Sequence, residues 1–115
     1  MNIMWTVLLV LVFLLFFPLV KVSGYSMYPT IQSGDILFSA RVFRHKNCKP
    51  GHIYVYRLPN ERKVVIKRLI CIAEEKYFFE GDNKEASHDS RYYGLIDPKH
   101  VIAEAKGILY RKNPI

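Results

Sequence analysis

The chain opens with an almost uninterrupted apolar run. Residues 3–20 are apolar except for Thr6 and Pro18, and the run carries no charge. About twenty apolar residues span a bilayer core, so the pattern predicts a transmembrane anchor over residues 1–20, near the lower length limit. The alternative is a cleaved signal peptide, because small residues follow at 22–24. The missing charged N-terminal region and the long apolar run favour a retained anchor.

The rest of the chain has the pattern of a β protein. Segments rich in β-branched and aromatic residues alternate with turn signals of Gly, Pro, Asn and Asp. Short strands at this spacing predict a mainly β domain over residues 21–115, built as a small β-barrel or sandwich. The polar stretch 81–94 is a long loop, and long ordered loops are often functional. The five predicted strands lie within 34–43, 52–58, 63–73, 76–81 and 101–112.

All of the charge follows the apolar run, with 17 Lys and Arg against 10 Asp and Glu and a net charge of +7. Such an excess suits an anionic membrane surface, where each close cation contributes about 1 kcal/mol. Nucleic acid is the rival partner for a basic domain. The sequence has no helix-turn-helix, zinc-finger or RNP pattern, so we predict no nucleic-acid partner. Cys48 and Cys71 are too few for a disulfide framework and lack metal-ligand spacing.

One lysine lies in a strand whose two faces both look covered. In segment 63–73 a period of two puts Val65, Lys67 and Leu69 on one face, and the alternate residues are also mostly apolar. Desolvation disfavours the ammonium form, and keeping an amine neutral near neutral pH requires about 4 kcal/mol. The alternative is that Lys67 lies at a strand edge and reaches water. Arg68 must be paired or at an edge, because arginine stays charged.

A neutral lysine could deprotonate a hydroxyl, and Ser-Lys pairs are an established form of nucleophilic catalysis. Spacing does not choose the nucleophile, because nucleophile and base meet in space rather than along the chain. The candidate hydroxyls are those of Ser23, Ser26, Thr30, Ser33, Ser39, Ser87 and Ser90. The histidines lack the pairing that a Ser-His triad or a metal site needs, and we place them at the surface: His45, His52, His88 and His100.

Four blocks of sequence, taken together and in order, resemble the bacterial type I signal peptidase family. The blocks are SMYPT (26–30) followed by GD (34–35), IKR (66–68), GDN (81–83) and SHDSRYYG (87–94). Members of that family are membrane-anchored serine proteases with a Ser-Lys dyad and a β-rich catalytic fold shared with LexA-type repressors. The resemblance implies a serine endopeptidase that removes N-terminal signal or pro-sequences from precursor proteins, without a metal or cofactor.

The resemblance also implies roles for individual residues. Ser26 matches the nucleophile, Lys67 the general base, and Ser87 the serine that orients the lysine amine. The Ser26 N–H would be one oxyanion donor, a contact worth about 3 kcal/mol in acyl transfer. Some members have a second donor, a serine hydroxyl, where this chain has Gly24. The remaining supporting residues are Met27, expected beneath the dyad, and the loop-bracing pair Asp89 and Arg91, with Asp82 and Asn83 in the turn of that loop.

The chain departs from general signal peptidases in one respect. Only residues 69–80 separate the lysine strand from GDN, where those enzymes usually carry a longer insertion. This compact form looks like the small maturation proteases associated with nickel superoxide dismutase, which trim one client. The resemblance therefore implies either a dedicated client or several exported preproteins. A LexA-like self-cleaving regulator and a non-enzymatic membrane-anchored β module are the alternatives from other classes.

Two arguments about the side of the membrane on which the catalytic domain lies oppose each other. The family resemblance implies a catalytic domain on the exported side. The positive-inside rule finds only Lys21 before Arg41, a weak bias toward a cytosolic catalytic domain. We expect the exported side, because four motifs carry the resemblance and one lysine the charge argument. A cytosolic catalytic domain would fit a dedicated client.

Overall fold

Residues 2–112, which the computed structural model describes, form an N-terminal helix and one antiparallel sheet. Short 3-10 turns lie at 45–47, 84–86 and 98–100. The helices and strands are α1 (Ile3–Phe16), β1 (Leu19–Lys21), β2 (Ile36–Arg41), β3 (Ile53–Arg57), β4 (Val64–Ala73), β5 (Lys76–Glu80), α2 (Ser90–Tyr93) and β6 (Val101–Tyr110). The six strands pair in the order β1-β2-β6-β3-β4-β5. The predicted mainly β fold is confirmed, as a single sheet with β1 and β5 at its edges.

The five predicted strand segments each contain a strand, β2 to β6. The sequence pattern missed β1, which is three residues long and pairs Leu19 with Phe38 of β2. A three-residue strand is too short to show a period of two, so pairing with β2 rather than local sequence defines it.

The apolar run forms a shorter helix than predicted. Pro18 cannot continue a helix and restricts the residue before it, so α1 ends at Phe16 and the chain turns into β1. The 14 residues of α1 extend about 21 Å, against about 30 Å for a bilayer core. Within residues 2–112, no helix is both long enough and apolar enough to cross a membrane. The structure therefore does not support the predicted transmembrane helix over residues 1–20.

The end of α1 is fixed to β2. The Phe17 ring stacks on Phe38, with ring centroids 5.7 Å apart. The Arg41 Nε donates a hydrogen bond of 2.5 Å to the Leu15 carbonyl. A cation at this position also complements the partial negative charge at a helix C-terminus. The helix itself has no buried residue, so its apolar side chains are exposed along its length.

An apolar cluster covers each face of the sheet. Along β3, Tyr54 and Tyr56 belong to one cluster and Val55 to the other, as the alternation of a strand requires. Stacked rings of Tyr56 and Phe79, 4.2 Å apart, lie in the first cluster. The second cluster packs the turn after Ser26 against the sheet. Its buried members are Val22, Met27, Ile31, Leu37, Val55, Ile66 and Ala103.

The strand that carries Lys67 is covered only in its middle part, residues 65–69. β3 pairs with β4 as far as Arg68, and beyond that point β4 pairs with β5 alone. Lys67 and Leu69 are buried, whereas residues 70–73 are exposed. The prediction of a fully covered strand therefore holds for residues 65–69, which are buried or half-buried, and is wrong for Val64 and for residues 70–73, which are exposed.

Candidate active site

Ser26 and Lys67 meet in the structure although 41 positions separate them in the chain. The Lys67 Nζ donates a hydrogen bond of 2.8 Å to the Ser26 Oγ. Both residues line a cleft of about 560 Å³ between segments 20–26 and 61–67. The Lys67 residue is only 6% exposed. Of the seven candidate hydroxyls, that of Ser26 is thus the one bonded to the strand lysine.

Burial lowers the pKa of Lys67 below its ordinary value, because desolvation disfavours the ammonium form. The Asp89 carboxylate opposes this effect and raises the pKa. The Lys63 ammonium, which lines the same cleft, lowers it further by repulsion. The net lowering of the Lys67 pKa favours the neutral amine. At the observed distance, a neutral Nζ can accept the proton of the Ser26 hydroxyl.

The turn that carries Ser26 is held by the loop that follows β5. The Asn83 N–H donates to the Ser26 carbonyl at 2.8 Å, and the Asn83 side-chain amide donates to the Tyr25 carbonyl at 3.1 Å. The Asp82 N–H donates to the Met27 Sδ at 3.4 Å. Met27 is 1% exposed and belongs to the second apolar cluster. The residue after Ser26 thus anchors the turn in the core.

The backbone at Gly24 is in the left-handed region, with φ of +91°. A Cβ atom there would meet nothing within 4 Å, so there is room for a side chain. The left-handed conformation nevertheless favours glycine over serine. The Gly24 N–H donates to the Ser33 Oγ at 3.2 Å. Position 24 therefore does not supply the hydroxyl donor found in some signal peptidases.

Asp89 organises the loop after β5 from a fully buried position. Its carboxylate accepts hydrogen bonds from the Gly81 N–H at 2.9 Å, the Ser87 hydroxyl at 2.7 Å and the Arg91 Nε at 2.9 Å. Burial raises the pKa of Asp89, but these donors outweigh burial and bring the pKa to about 2. The carboxylate is therefore ionised at neutral pH. Asp89 and Arg91, which the resemblance implies as a bracing pair, form an ion pair.

Ser87 contacts Asp89 and not the lysine. Its hydroxyl donates to the Asp89 carboxylate and accepts from the Gly81 N–H at 3.2 Å. In the described part of the chain it makes no hydrogen bond to the Lys67 amine. A buried carboxylate is a stronger acceptor than an amine, so it takes the hydroxyl hydrogen. The lysine-orienting contact that the resemblance implies is thus not formed in this structure.

The second cation of the lysine strand, Arg68, is paired, which was one of the two outcomes expected for it. Its guanidinium binds the Asp82 carboxylate in bidentate fashion, at 2.8 Å and 2.7 Å. The same group donates to the Gly51 carbonyl at 2.5 Å. The ion pair ties β4 to the loop that holds Ser26. The two adjacent basic residues therefore differ, since Arg68 has a carboxylate partner and Lys67 has a hydroxyl partner.

His88 lies in the cleft, which the scattered positions of the histidines did not indicate. Its ring stacks on Tyr92, with centroids 5.0 Å apart, and lines the cleft with Ser26 and Lys67. His88 follows Ser87 directly in the chain, so its place in the SHDSRYYG block was the sequence feature that could have located it at the site. Within residues 2–112, no three His, Cys, Asp or Glu side chains are grouped so that they could hold a metal ion.

Gly81 is a residue of the site that sequence reasoning treated only as part of a turn. A Cβ atom built on it would lie 2.3 Å from the Ser87 Oγ and 2.5 Å from the Ser26 carbonyl oxygen. Neither atom has room to move, because Ser87 is buried and the carbonyl is bonded to Asn83. Only glycine lets this loop and the turn that carries Ser26 approach this closely.

We predict that Gly81→Ala destabilises the protein by about 1–3 kcal/mol, the usual cost of overpacking a tight site. Gly107→Ala is the matched control, because a Cβ atom at Gly107 would meet nothing within 4 Å and its φ is not in the left-handed region. The control should change stability by no more than about 0.5 kcal/mol. Chemical denaturation of both variants checks this, and equal midpoints would contradict the close contact at Gly81.

Comparison with known proteins identifies the family to which this arrangement belongs. The chain is similar to mitochondrial inner membrane protease subunit 1 of Mus musculus, with 34% identity over 99 residues, covering 67% of this chain and 60% of the relative. The human protein of the same name is 35% identical with the same coverage. The chain thus spans about 60% of the length of these relatives. A family model described as Peptidase S24-like matches residues 17–105, and the chain belongs to that peptidase family.

Proposed function

We propose that this protein is a membrane-associated serine endopeptidase that removes N-terminal segments from precursor proteins. The observation that carries the proposal is the 2.8 Å contact between the Lys67 Nζ and the Ser26 Oγ in an open cleft. Burial of the lysine supports its role as a general base. Membership of a peptidase family and similarity to an inner membrane protease subunit support the reaction class.

The first half of the reaction is acylation of Ser26. Its Oγ attacks the scissile carbonyl carbon while the Lys67 Nζ takes the hydroxyl proton. Negative charge that develops on the carbonyl oxygen is stabilised by the Ser26 N–H. Collapse of the intermediate breaks the peptide bond, and the ammonium of Lys67 returns the proton to the leaving amine. The products are an ester on Ser26 and the free C-terminal fragment.

The second half is hydrolysis of that ester. The Lys67 amine, neutral again, takes a proton from a water molecule as the water attacks the ester carbonyl. The proton then passes to the Ser26 oxygen as the acid product leaves. One group thus serves twice as base and twice as acid, which is possible because its lowered pKa lets it exchange protons near neutral pH.

The substrate is a peptide segment of a precursor protein. The cleft is long enough to be bordered by seven consecutive residues on one side, 20–26, and by 63–67 with Glu61 on the other. The short spacing between the lysine strand and the GDN block is compatible with two kinds of client. One is a single dedicated client, such as a nickel superoxide dismutase precursor, and the other is a set of exported preproteins. Membrane association is supported by the exposed apolar helix α1, the net charge of +7 and the names of the relatives. The exported side remains our proposal for the catalytic domain.

We predict that Ser26→Ala abolishes cleavage and leaves the fold intact, because it removes one hydroxyl from a half-buried turn. Ser23→Ala, in the same cleft, is the matched control and should keep wild-type activity. The measurement uses purified variants with two kinds of substrate, a nickel superoxide dismutase precursor and a set of exported preproteins. Cleavage of either by Ser26→Ala at the wild-type rate would refute the nucleophile assignment. If the wild type cleaves only one of the two kinds of precursor, that result identifies the client range.

We predict that kcat/KM of the wild type rises with pH, because the neutral fraction of Lys67 rises through its pKa. Since burial lowers that pKa, the rise should occur below the ordinary lysine value of about 10.5. Lys67→Arg should be as inactive as Lys67→Ala, because a guanidinium remains protonated. A flat profile between about pH 6 and about pH 9, or an active Lys67→Arg variant, would exclude a lysine base.

We predict that Cys71 reacts with a membrane-impermeant thiol reagent in intact cells, because the catalytic domain is proposed to face the exported side. Cys71 is an exposed free thiol and Cys48 is a buried one, so the signal reports on Cys71. Cys71→Ser provides the blank, and labelling after lysis shows that the thiol is reactive. Labelling of the wild type only after lysis would place the domain in the cytosol.

A further inference from the structure

A side chain near the far end of the chain contacts the turn that carries Ser26. Arg111 follows β6 directly, and its guanidinium binds the Asp35 carboxylate through two hydrogen bonds, of 3.0 Å and 2.8 Å. The same guanidinium donates to the Thr30 carbonyl at 3.4 Å. Arg111 lies outside the four sequence blocks, and it takes no part in the reaction described above. Its contacts nevertheless fall within ten residues of the nucleophile.

Asp35 joins this contact to the cleft. The residue is 1% exposed, and its carboxylate also accepts the Gln32 N–H at 2.8 Å, within the turn that follows Ser26. Its backbone carbonyl accepts the Val22 N–H at 2.8 Å. Val22 lines the cleft next to Ser23 and packs in the second apolar cluster. One buried residue therefore connects both ends of the segment on which Ser26 lies.

The carboxylate of Asp35 depends on Arg111 for its charge compensation. A buried ionised carboxylate is costly unless it is paired and hydrogen-bonded. The hydrogen bonds from Arg111 are the largest cause of the lowered pKa of Asp35, and the Gln32 N–H adds to them. Without Arg111 the carboxylate has to take up a proton or turn toward water. Either change disturbs the turn, because the Gln32 N–H loses its charged acceptor.

We propose that Arg111 is a positioning residue for the nucleophile: through Asp35 and Thr30 it fixes the turn that carries Ser26, so the end of β6 sets the alignment of Ser26 with Lys67. The turn transmits the constraint, because the Ile31 N–H is bonded to the Met27 carbonyl at 2.9 Å. The inference rests on the proposed function, since alignment has a consequence only if Ser26 is the nucleophile.

The same strand offers a matched control. Lys106, within β6, forms an ion pair with Glu104 at 3.0 Å, and this pair contacts neither Asp35 nor the Ser26 turn. Its lysine side chain is 46% exposed, against 22% for that of Arg111. Lys106→Met and Arg111→Met each remove one cation of an ion pair, and the two positions lie five residues apart in the chain. Only the second removes the contact with the turn.

The test compares wild type, Arg111→Met, Arg111→Lys and Lys106→Met, each assayed below its own melting temperature. Arg111→Met should lower kcat by about 10-fold or more, since small misplacements of reacting groups have effects up to about 100-fold. KM should change much less than kcat. Arg111→Lys should recover part of the loss, because it keeps the charge without the bidentate geometry. Lys106→Met should match the wild type.

Hydrogen exchange supplies a readout that does not need activity. In Arg111→Met, the amides of Val22, Ile31 and Gly34 should exchange faster than in the wild type, and in Lys106→Met they should not. A purely structural pair would lower the melting temperature and leave kcat of the folded protein unchanged. Wild-type kcat together with unchanged exchange in Arg111→Met would overturn the proposal.

Two further outcomes remain informative. If Arg111→Met does not fold, Arg111→Lys carries the test, and wild-type kcat and exchange in that variant would overturn the proposal. If the wild type cleaves neither kind of precursor, the proposed function fails. Faster exchange of the three amides in Arg111→Met would then still support the coupling between Arg111 and the turn, and unchanged exchange would refute it.

Discussion

An ammonium group removed from water loses hydration worth several kcal/mol, and Lys67 is in that position without a carboxylate bonded to it in the described chain. Its Nζ instead faces the Ser26 hydroxyl at 2.8 Å. The buried side chain therefore favours the neutral amine that proton abstraction needs. The arrangement has three requirements. Strand β4 must be covered at Lys67, the nearby Asp82 and Asp89 carboxylates must be paired with other groups, and Ser26 must be held in place.

Two carboxylates near the site are engaged in ion pairs with arginines. Asp82 binds Arg68 in bidentate fashion, and Asp89 is bonded to Arg91, Ser87 and Gly81. The Asp82 and Asp89 carboxylates, either of which would stabilise the ammonium form of Lys67 by direct pairing, are thus each engaged with an arginine. Asp89 still raises the pKa of Lys67 from a distance, and burial outweighs it. The loop after β5 contributes to the site by arranging charge as well as by shape.

Ser26 is held from two directions. On one side Asn83 binds the Ser26 carbonyl, and the glycine at position 81 makes that approach possible. On the other side Asp35, paired with Arg111, ties the turn to the end of β6. Met27 fixes the turn to the core between these two contacts. These contacts hold Ser26 in place on its turn, as strand β4 holds Lys67.

The sequence by itself determined the five main strands and the lysine in an apolar strand, because alternation and β-branched residues act through near neighbours in the chain. The motif blocks added the family and the expectation of Ser26 as nucleophile. Local pattern overestimated the N-terminal helix, which Pro18 and pairing with β2 end at Phe16. Only the tertiary structure decided that Ser26 meets Lys67, that Ser87 binds Asp89 and that Arg111 reaches Asp35. These contacts join positions brought together by sheet order and loop packing, and residue spacing along the chain carries no record of that geometry.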